Sequence, residues 1–336
     1  MGRVVIITGG SAGVGRAAAE RFARAGDRIG LIARDAAALE DTRHDLLRIG
    51  AEAAACESAD VADAEALFGA AERLERALGP VDIWVNDAME TVFARVVDIS
   101  PAELRRVLEV CFLGYAHGTQ AALRSMRGRE EGCGRGRIVQ VGSALAYRGI
   151  PLQAAYCAAK HAIRGFTSAL RTELIAEGSG ITVVTVELPA VNTPQFDWAR
   201  IHIPFAPRPA GRPVRPDVAA EAVFRAAGGD AREIWLGLPT FLAILGEAVA
   251  PGLLDRYLGR VALTGQMSAT RAKPDRADNL DRPITDLHRV SGRFVGEAAD
   301  WAPSISGDLA RAGAAALAAL ACFAAGAAFV RWRAGR

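Results

Sequence analysis

The sequence predicts an α/β fold: a doubly wound parallel sheet with helices on both faces, plus a mainly helical or irregular C-terminal extension. Three observations carry this. Short β-branched runs alternate with longer Ala-, Leu- and Arg-rich segments at helical spacing. The alternation lasts about 240 of the 336 residues, the size of one large domain. A glycine-rich turn, TGGSAGVG (Thr8 to Gly15), joins the first strand to the first helix.

Taken in order, Val4–Thr8 is a strand, and a helix from Val14 to Ala25 stops at Gly26. Arg28–Ala33 is the second strand, followed by a helix to Ile49 that stops at Gly50. Ala53–Cys56 is a weaker strand, and the helix Ala64–Leu78 is closed by Gly79-Pro80. After a fourth strand, Val81–Asn86, the string Ser100-Pro101-Ala102-Glu103 supplies a cap, a first-turn proline and a capping-box acid for one long helix to Met126. Arg137–Val141, the helix Gln153–Ala176 and the strand Ile181–Glu187 continue the rhythm. Residues 204–216, rich in Pro and Arg, leave the sheet before a helix at Val218–Ala227 and a last strand at Glu233–Leu236. The chain thus divides into a sheet domain over 1–240, a helical and polar extension over 241–306, and an Ala-rich apolar helix over 307–336.

Ala312–Val330 is an uninterrupted apolar stretch of 19 residues, long enough to cross a bilayer core. Eleven of these are Ala and two are Gly, which contribute little to insertion. Arg331, Arg333 and Arg336 follow, and positive residues keep such an end cytoplasmic while nothing at the N-terminus signals export. The segment has two readings: a membrane tail, or a helix packed on the domain or on a partner.

A formal charge of +2, without a long run of one sign, argues against nucleic acid as a partner. Five cysteines (Cys56, Cys111, Cys133, Cys157, Cys322) without C-x-x-C spacing suggest neither a disulfide framework nor a zinc site, and fit a reducing, cytoplasmic compartment. The histidines are scattered, and no metal is expected. MGRVVIITGG is too short for a signal-peptide core and reads as a first strand.

The glycine-rich turn lies where a strand meets a helix. Glycine lets the backbone turn tightly and approach a pyrophosphate, while the helix N-terminus offers free N–H groups and partial positive charge. Farther along, YCAAK places Tyr156 and Lys160 one helical turn apart, on one face. Only two of the 40 basic residues are lysines, Lys160 and Lys273. A Lys in so Arg-rich a chain points to chemistry that needs a compact ammonium rather than a flat guanidinium.

T-G-x-x-x-G-x-G combined with Tyr-x-x-x-Lys resembles the short-chain dehydrogenase/reductase family over about residues 1–240. Asp60-Val61, Asn86, Ser143 (thirteen residues before Tyr156), Pro189 and Thr193 stand where that family has its other markers. The resemblance implies a Rossmann-like fold and an oxidoreductase that interconverts a secondary alcohol and a ketone or aldehyde by hydride transfer. It implies Ser143, Tyr156 and Lys160 as catalytic residues: Tyr156 moves the proton, Lys160 favours its phenolate and binds ribose, and Ser143 donates to the substrate oxygen. Dinucleotide binding falls to Thr8, Gly9, Ser11, Gly13, Val14, Gly15, Asp60, Val61, Asn86, Ala88, Tyr156, Lys160, Pro189 and Thr193. The family commonly assembles through its two long helices, so a homo-oligomer is expected.

At the tip of the second strand, Ala33-Arg34 offers a cation and no acid, which favours NADP (NADPH) over NAD through the 2′-phosphate. Departures from the family pattern are Asn86-Asp87-Ala88-Met89 in place of N-N-A-G, and Cys111 where a water-relaying Asn often stands. A thiol is a weak donor and acceptor, which questions the proton route from Lys160 to solvent. The alternative function is therefore a catalytically weak NADP(H)-binding regulator or scaffold. The apolar segment VNTPQFDWARIHIPF suggests a hydrophobic alcohol or carbonyl substrate.

Overall fold

The computed structural model describes residues 1–128, 134–273 and 276–334, with Cys133 outside them. Val4–Thr8 (β1) reads VVIIT and is buried at every position, so both faces of the strand must be covered. The alternation that follows is α1 (Gly13–Ala23), β2 (Arg28–Ala33), α2 (Ala36–Ile49), β3 (Ala53–Ser58), α3 (Ala64–Leu78) and β4 (Ile83–Asn86). Next come β5 (Val92–Phe93), α4 (Pro101–Leu108), α5 (Gly114–Arg127), β6 (Arg135–Ser143), α6 (Ala154–Ala176) and β7 (Gly180–Leu188). The chain continues through α7 (Gln195–Trp198), β8 (Arg200–Ile201), β9 (Phe205–Pro207), α8 (Pro216–Gly228), β10 (Glu233–Leu236), α9 (Leu238–Val249) and α10 (Pro251–Gly265). It ends in β11 (Met267–Arg271), β12 (Ser304–Ser306) and α11 (Gly307–Ala334).

Helix starts follow the local chemistry. Asp35 and Asp63 cap α2 and α3, accepting from the N–H groups of Ala38 at 3.1 Å and Ala66 at 3.0 Å. Ser100 and Glu103 form both halves of the capping box on α4. Each such cap stabilises its helix by about 1 kcal/mol.

The main sheet has eight strands in the order β12-β10-β7-β6-β4-β1-β2-β3. Neighbours pair in parallel except at the edge, where β12 runs antiparallel to β10 with Trp235 opposite Ile305. Strand order reverses around β1, between β2 and β4, and a crevice opens there at the carboxyl ends. Leu74, Trp84, Val107, Ile138 and Leu174 build the core on one face, under α3 to α6. Val5, Ile7, Phe22, Leu46 and Val223 build the other, under α1, α2 and α8.

Three features differ from the sequence expectation. The long helix from Pro101 is interrupted by a π-helical turn, Glu109–Leu113, centred on Cys111. The helical part of the extension expected over 241–306 opens as two separate helices, α9 and α10, because Pro251 cannot continue the first and starts the second. The boundary at residue 240 is crossed by the sheet itself: β12 supplies its edge strand, and β11 pairs with β9. Within α11, Ala310 packs against the cluster of Ala146, Tyr147, Trp235 and Ile244, and Arg311 pairs with Glu233, whereas Leu317, Leu320 and Phe323 are exposed. Among the described residues, no helix is long and apolar enough to cross a membrane. Several side chains of Ala312–Val330 lie outside that description.

Candidate active site

The crevice is built on the turn after β1. Gly9 and Gly13 have φ of +73° and +55°, which favour glycine, and a Cβ at Gly9 would lie 2.8 Å from the Cα of Ala88. The Thr8 hydroxyl accepts from the N–H groups of Asp87 at 3.2 Å and Ala88 at 3.4 Å, holding the end of β4 against the turn. Beneath it, the Asn86 amide donates to Gln140 at 2.9 Å and to Thr119 at 3.2 Å, and its carbonyl accepts from the Trp84 indole at 2.8 Å. Asn86 is fully buried. Thr8, Gly15 and Asn86 thus stand behind the cleft wall and shape it, while Gly9, Ser11, Gly13, Val14, Val61, Ala88, Pro189 and Thr193 line the cavity, of about 380 Å³.

At the far end, β6 delivers Ser143 and α6 delivers Tyr156 and Lys160, all three on the cavity wall. Tyr156 is within hydrogen-bonding reach of the Ser143 hydroxyl, which accepts from the N–H of Leu145 at 3.1 Å. Lys160 is 2% exposed, and its Nζ donates to the Val141 carbonyl at 2.7 Å and to the Tyr115 hydroxyl at 2.9 Å. The same Nζ lies 5.5 Å from the centre of the Tyr156 ring. A slim ammonium reaches this depth with two acceptors to satisfy it, which a broad guanidinium could not match.

The electrostatics differ from the expected phenolate. Burial pushes the Tyr156 phenol well above its ordinary value, with only the Ser143 hydrogen bond opposing among the leading influences. Burial also lowers the Lys160 ammonium, while Cys111, Asp87 and Glu187 pull it back up. Asp87 is driven up to about 7 by burial, against the attraction of Lys160 and the Gly15 N–H. Among the protein groups alone, desolvation outweighs stabilisation of the phenolate. Cys111 is pushed up to about 11 by burial, and its Sγ is engaged with the backbone of Glu90.

At the opposite end, Arg34 and Asp60 line the cavity, but neither side chain stands free. Arg34 lies 2.7 Å from the carboxylate of Glu90 and donates to the carbonyls of Asn279 at 2.5 Å and Leu280 at 3.3 Å. Arg106 bridges Glu90 at 3.1 Å and Asp60 at 2.7 Å, and also donates to the Leu280 carbonyl at 3.1 Å. Glu90, 3% exposed, is raised to about 7 by burial and held from going higher by Arg34 and Arg106.

Residues 276–294 of the extension cross this cleft as a strap. The Gly13 N–H donates to the Arg289 carbonyl at 3.0 Å, and Arg16 to the His288 carbonyl at 2.7 Å. Arg276 donates to the carbonyls of Phe196, Asp197 and Ala199 on the loop after β7. Sequence reasoning missed Glu90, Arg106 and the strap, because their partners lie far apart in the chain and carry no local signature.

The residues present fit a dinucleotide: a glycine turn and helix start at one side of the sheet's reversal point, with buried Lys160 at the other. At the tip of β2, Arg34 lines the cavity but is shared with Glu90. A dinucleotide cleft that opens on Ser143, Tyr156 and Lys160 defines an oxidoreductase. The chain belongs to the short-chain dehydrogenase/reductase family, whose model, described as short chain dehydrogenase, matches residues 3–200. The chain is 30% identical over 297 residues to an oxidoreductase of Mycobacterium tuberculosis (strain ATCC 25618 / H37Rv), 88% of this chain and 82% of the relative. It is 30% identical over 266 residues to dehydrogenase/reductase SDR family member 7B of Bos taurus, covering 76% and 80%. The match with the mycobacterial relative is longer than the sheet domain, so it includes part of the extension. Among solved structures, a short-chain dehydrogenase from Streptomyces avermitilis superposes with a TM-score of 0.65 at 26% identity, over 78% of this chain and 98% of that one. An alcohol dehydrogenase from Thermococcus sibiricus, complexed with 5-hydroxy-NADP, gives 0.58 at 26% identity, over 70% and 96%.

Proposed function

We propose that the protein interconverts a secondary alcohol and its ketone, or reduces an aldehyde, with NADP(H) preferred over NAD(H). The observation that carries this reading is the convergence of Ser143, Tyr156 and Lys160 on one wall of the dinucleotide cleft. When bound, the nicotinamide supplies or accepts the hydride. Tyr156 gives its phenolic proton to the substrate oxygen in reduction and takes it back in oxidation. Ser143 donates to that oxygen as charge builds on it. Lys160, held by Tyr115 and Val141, keeps a positive charge beneath the reacting groups. Leu145, Ile150, Leu188, Phe196 and Trp198 form an apolar wall, which supports a hydrophobic substrate. Arg34 at the tip of β2 supports NADP, provided that a phosphate competes with the two strap carbonyls. The saturated thiol of Cys111 supports a second reading, a cofactor-binding protein with slow chemistry.

The test is NADPH and NADH oxidation by the purified full chain with acetophenone, cyclohexanone, benzil and decanal. Turnover with NADPH that Tyr156→Phe abolishes supports the enzyme. Tight NADPH binding without turnover on any probe favours the second reading.

A further inference from the structure

Parallel register lines up one face of three neighbouring strands: Gly142 on β6 lies beside Glu187 on β7, which lies beside Trp235 on β10. One row below, Gln140, Thr185 and Glu233 are aligned in the same way. This face lies beneath α6, the helix that carries Lys160. Glu187 is 2% exposed on this buried face, and its Oε2 has no protein partner among the described residues. Two more buried atoms nearby are unpartnered in the same sense, the hydroxyls of Thr185 and Tyr147. Buried polar atoms left over in this way are the usual sign of a wet polar pocket.

These unpartnered atoms adjoin the catalytic groups. Lys160 Nζ is bonded to the carbonyl of Val141, and the Glu187 carboxyl lies over the next residue: a Cβ at Gly142 would come within 2.9 Å of its Oε1 and closer still to its Oε2. Gly142 therefore makes the room that brings this acid up to Ser143 and Lys160. On the other side stands Glu233, which accepts from the Trp235 indole at 3.1 Å and pairs with Arg311 of α11. Glu233 and Arg311 line a surface groove together with His161, Arg164, Arg171 and Asp308. Polar groups are thus spaced from Lys160 through Glu187 and Glu233 to the groove at the sheet edge that the extension completes. The other exit is closed: the Cys111 thiol donates to the Glu90 carbonyl at 3.1 Å and accepts from the Glu90 N–H at 3.2 Å, leaving it nothing with which to hold a water.

We propose that Glu187 is the proton-relay residue behind Lys160, carrying the proton of each turnover between Lys160 and the groove at Glu233 and Arg311. This rests on the reading of the protein as an active oxidoreductase. In reduction, the substrate carbon gains the hydride and its oxygen takes the Tyr156 proton. Lys160 returns a proton to the phenolate and is left as an amine. The Glu187 carboxylic acid then breaks its O–H bond and passes the proton through an intervening water, a new N–H bond forms on Lys160, and the carboxylate takes a proton from solvent through the groove. Oxidation runs the same transfers backwards.

The groups around Glu187 are consistent with this. The charged and titratable groups that influence it electrostatically are Lys160 and Arg171 on α6, Tyr115 on α5, Tyr147 in the turn after β6 and Glu233 on β10. Burial and Glu233 raise the carboxyl to about 7, with Thr185, Lys160 and the Ser143 N–H opposing, so that it exchanges protons near neutral pH.

The experiment compares the full chain with Glu187→Gln and Glu187→Asp. Glu187→Gln is expected to keep NADPH affinity within about twofold while kcat on the best probe ketone falls at least about tenfold. The kcat limb near neutral pH disappears, and Glu187→Asp recovers part of the rate. In the infrared, the protonated-carboxyl signal that titrates near neutral pH loses one group in Glu187→Gln without any substrate present, while the contributions of Asp87 and Glu90 remain. An active wild type whose Glu187→Gln variant keeps its kcat, pH profile and full carboxyl signal overturns the relay alone. A wild type that binds NADPH but turns over no probe overturns the enzyme reading, and the relay with it.

Discussion

The thiol of Cys111 and the backbone of Glu90 satisfy each other twice, Sγ donating to the carbonyl at 3.1 Å and accepting from the N–H at 3.2 Å. The π-helical turn at Glu109–Leu113 presents the thiol for this contact, and it secures the strand end that carries Asp87, Met89 and Glu90. Removing it by Cys111→Ala leaves a buried N–H and C=O unpaired, at a cost of about 1–3 kcal/mol. Thermal unfolding of the variant should start several degrees lower. Because burial holds the thiol up at about 11, it should also stay unreactive toward thiol reagents at neutral pH until the protein unfolds.

Tyr156 and Lys160 should respond differently to substitution. Tyr156→Phe removes the hydroxyl that the proposed function uses to exchange a proton with the substrate oxygen and should lower kcat/KM by about 10²–10⁴-fold, with NADPH binding nearly unchanged in a fluorescence titration. Lys160→Arg should not rescue a Lys160→Ala variant, because the fork of Arg cannot sit between Tyr115 and Val141.

Asp87 links stability to pH. Its carboxyl is raised to about 7 in the fold, above its ordinary value of 3.8, so the native state holds this proton more tightly than the unfolded chain does. The resulting stabilisation is complete below the unfolded value and is lost as pH rises through about 7. Asp87→Asn should therefore raise the melting temperature relative to wild type more at pH about 8 than at pH about 5. Equal shifts at both pH values would remove this role.

Arg34 is the residue on which the proposed preference for NADP(H) rests. If the 2′-phosphate draws its guanidinium away from Asn279 and Leu280, Arg34→Ala should weaken NADPH about tenfold, one charge-assisted contact, and NADH far less. Parallel titrations with both nucleotides check this. Equal losses would mean that Arg34 serves the strap and Glu90 rather than the nucleotide.

What the sequence makes legible is what neighbours in the chain decide. The turn from Thr8 to Gly15, the caps at Asp35, Asp63 and Ser100, and the helical turn between Tyr156 and Lys160 are each written within a few residues. Arg34 shows the limit: its place at the tip of β2 is readable, but its hold on Glu90 and on Leu280 is not, since those partners lie 56 and 246 residues away. Glu187 is hidden for the same reason. In the string TVVTVEL it looks like an ordinary strand-end acid, and only the register with Gly142 and Trp235 reveals its burial. The break at residue 240 is a shift in composition, whereas β12 joins the sheet through backbone hydrogen bonds that composition does not encode.

The strap over 276–294 grips the glycine turn through Arg289 and the loop after β7 through Arg276. One peptide therefore touches both the glycine turn and the loop after β7, so that in the proposed function nucleotide and substrate would share a lid. Such a molecule should obey compulsory-order kinetics, the nucleotide first to arrive and last to depart, with its departure setting the pace of the cycle.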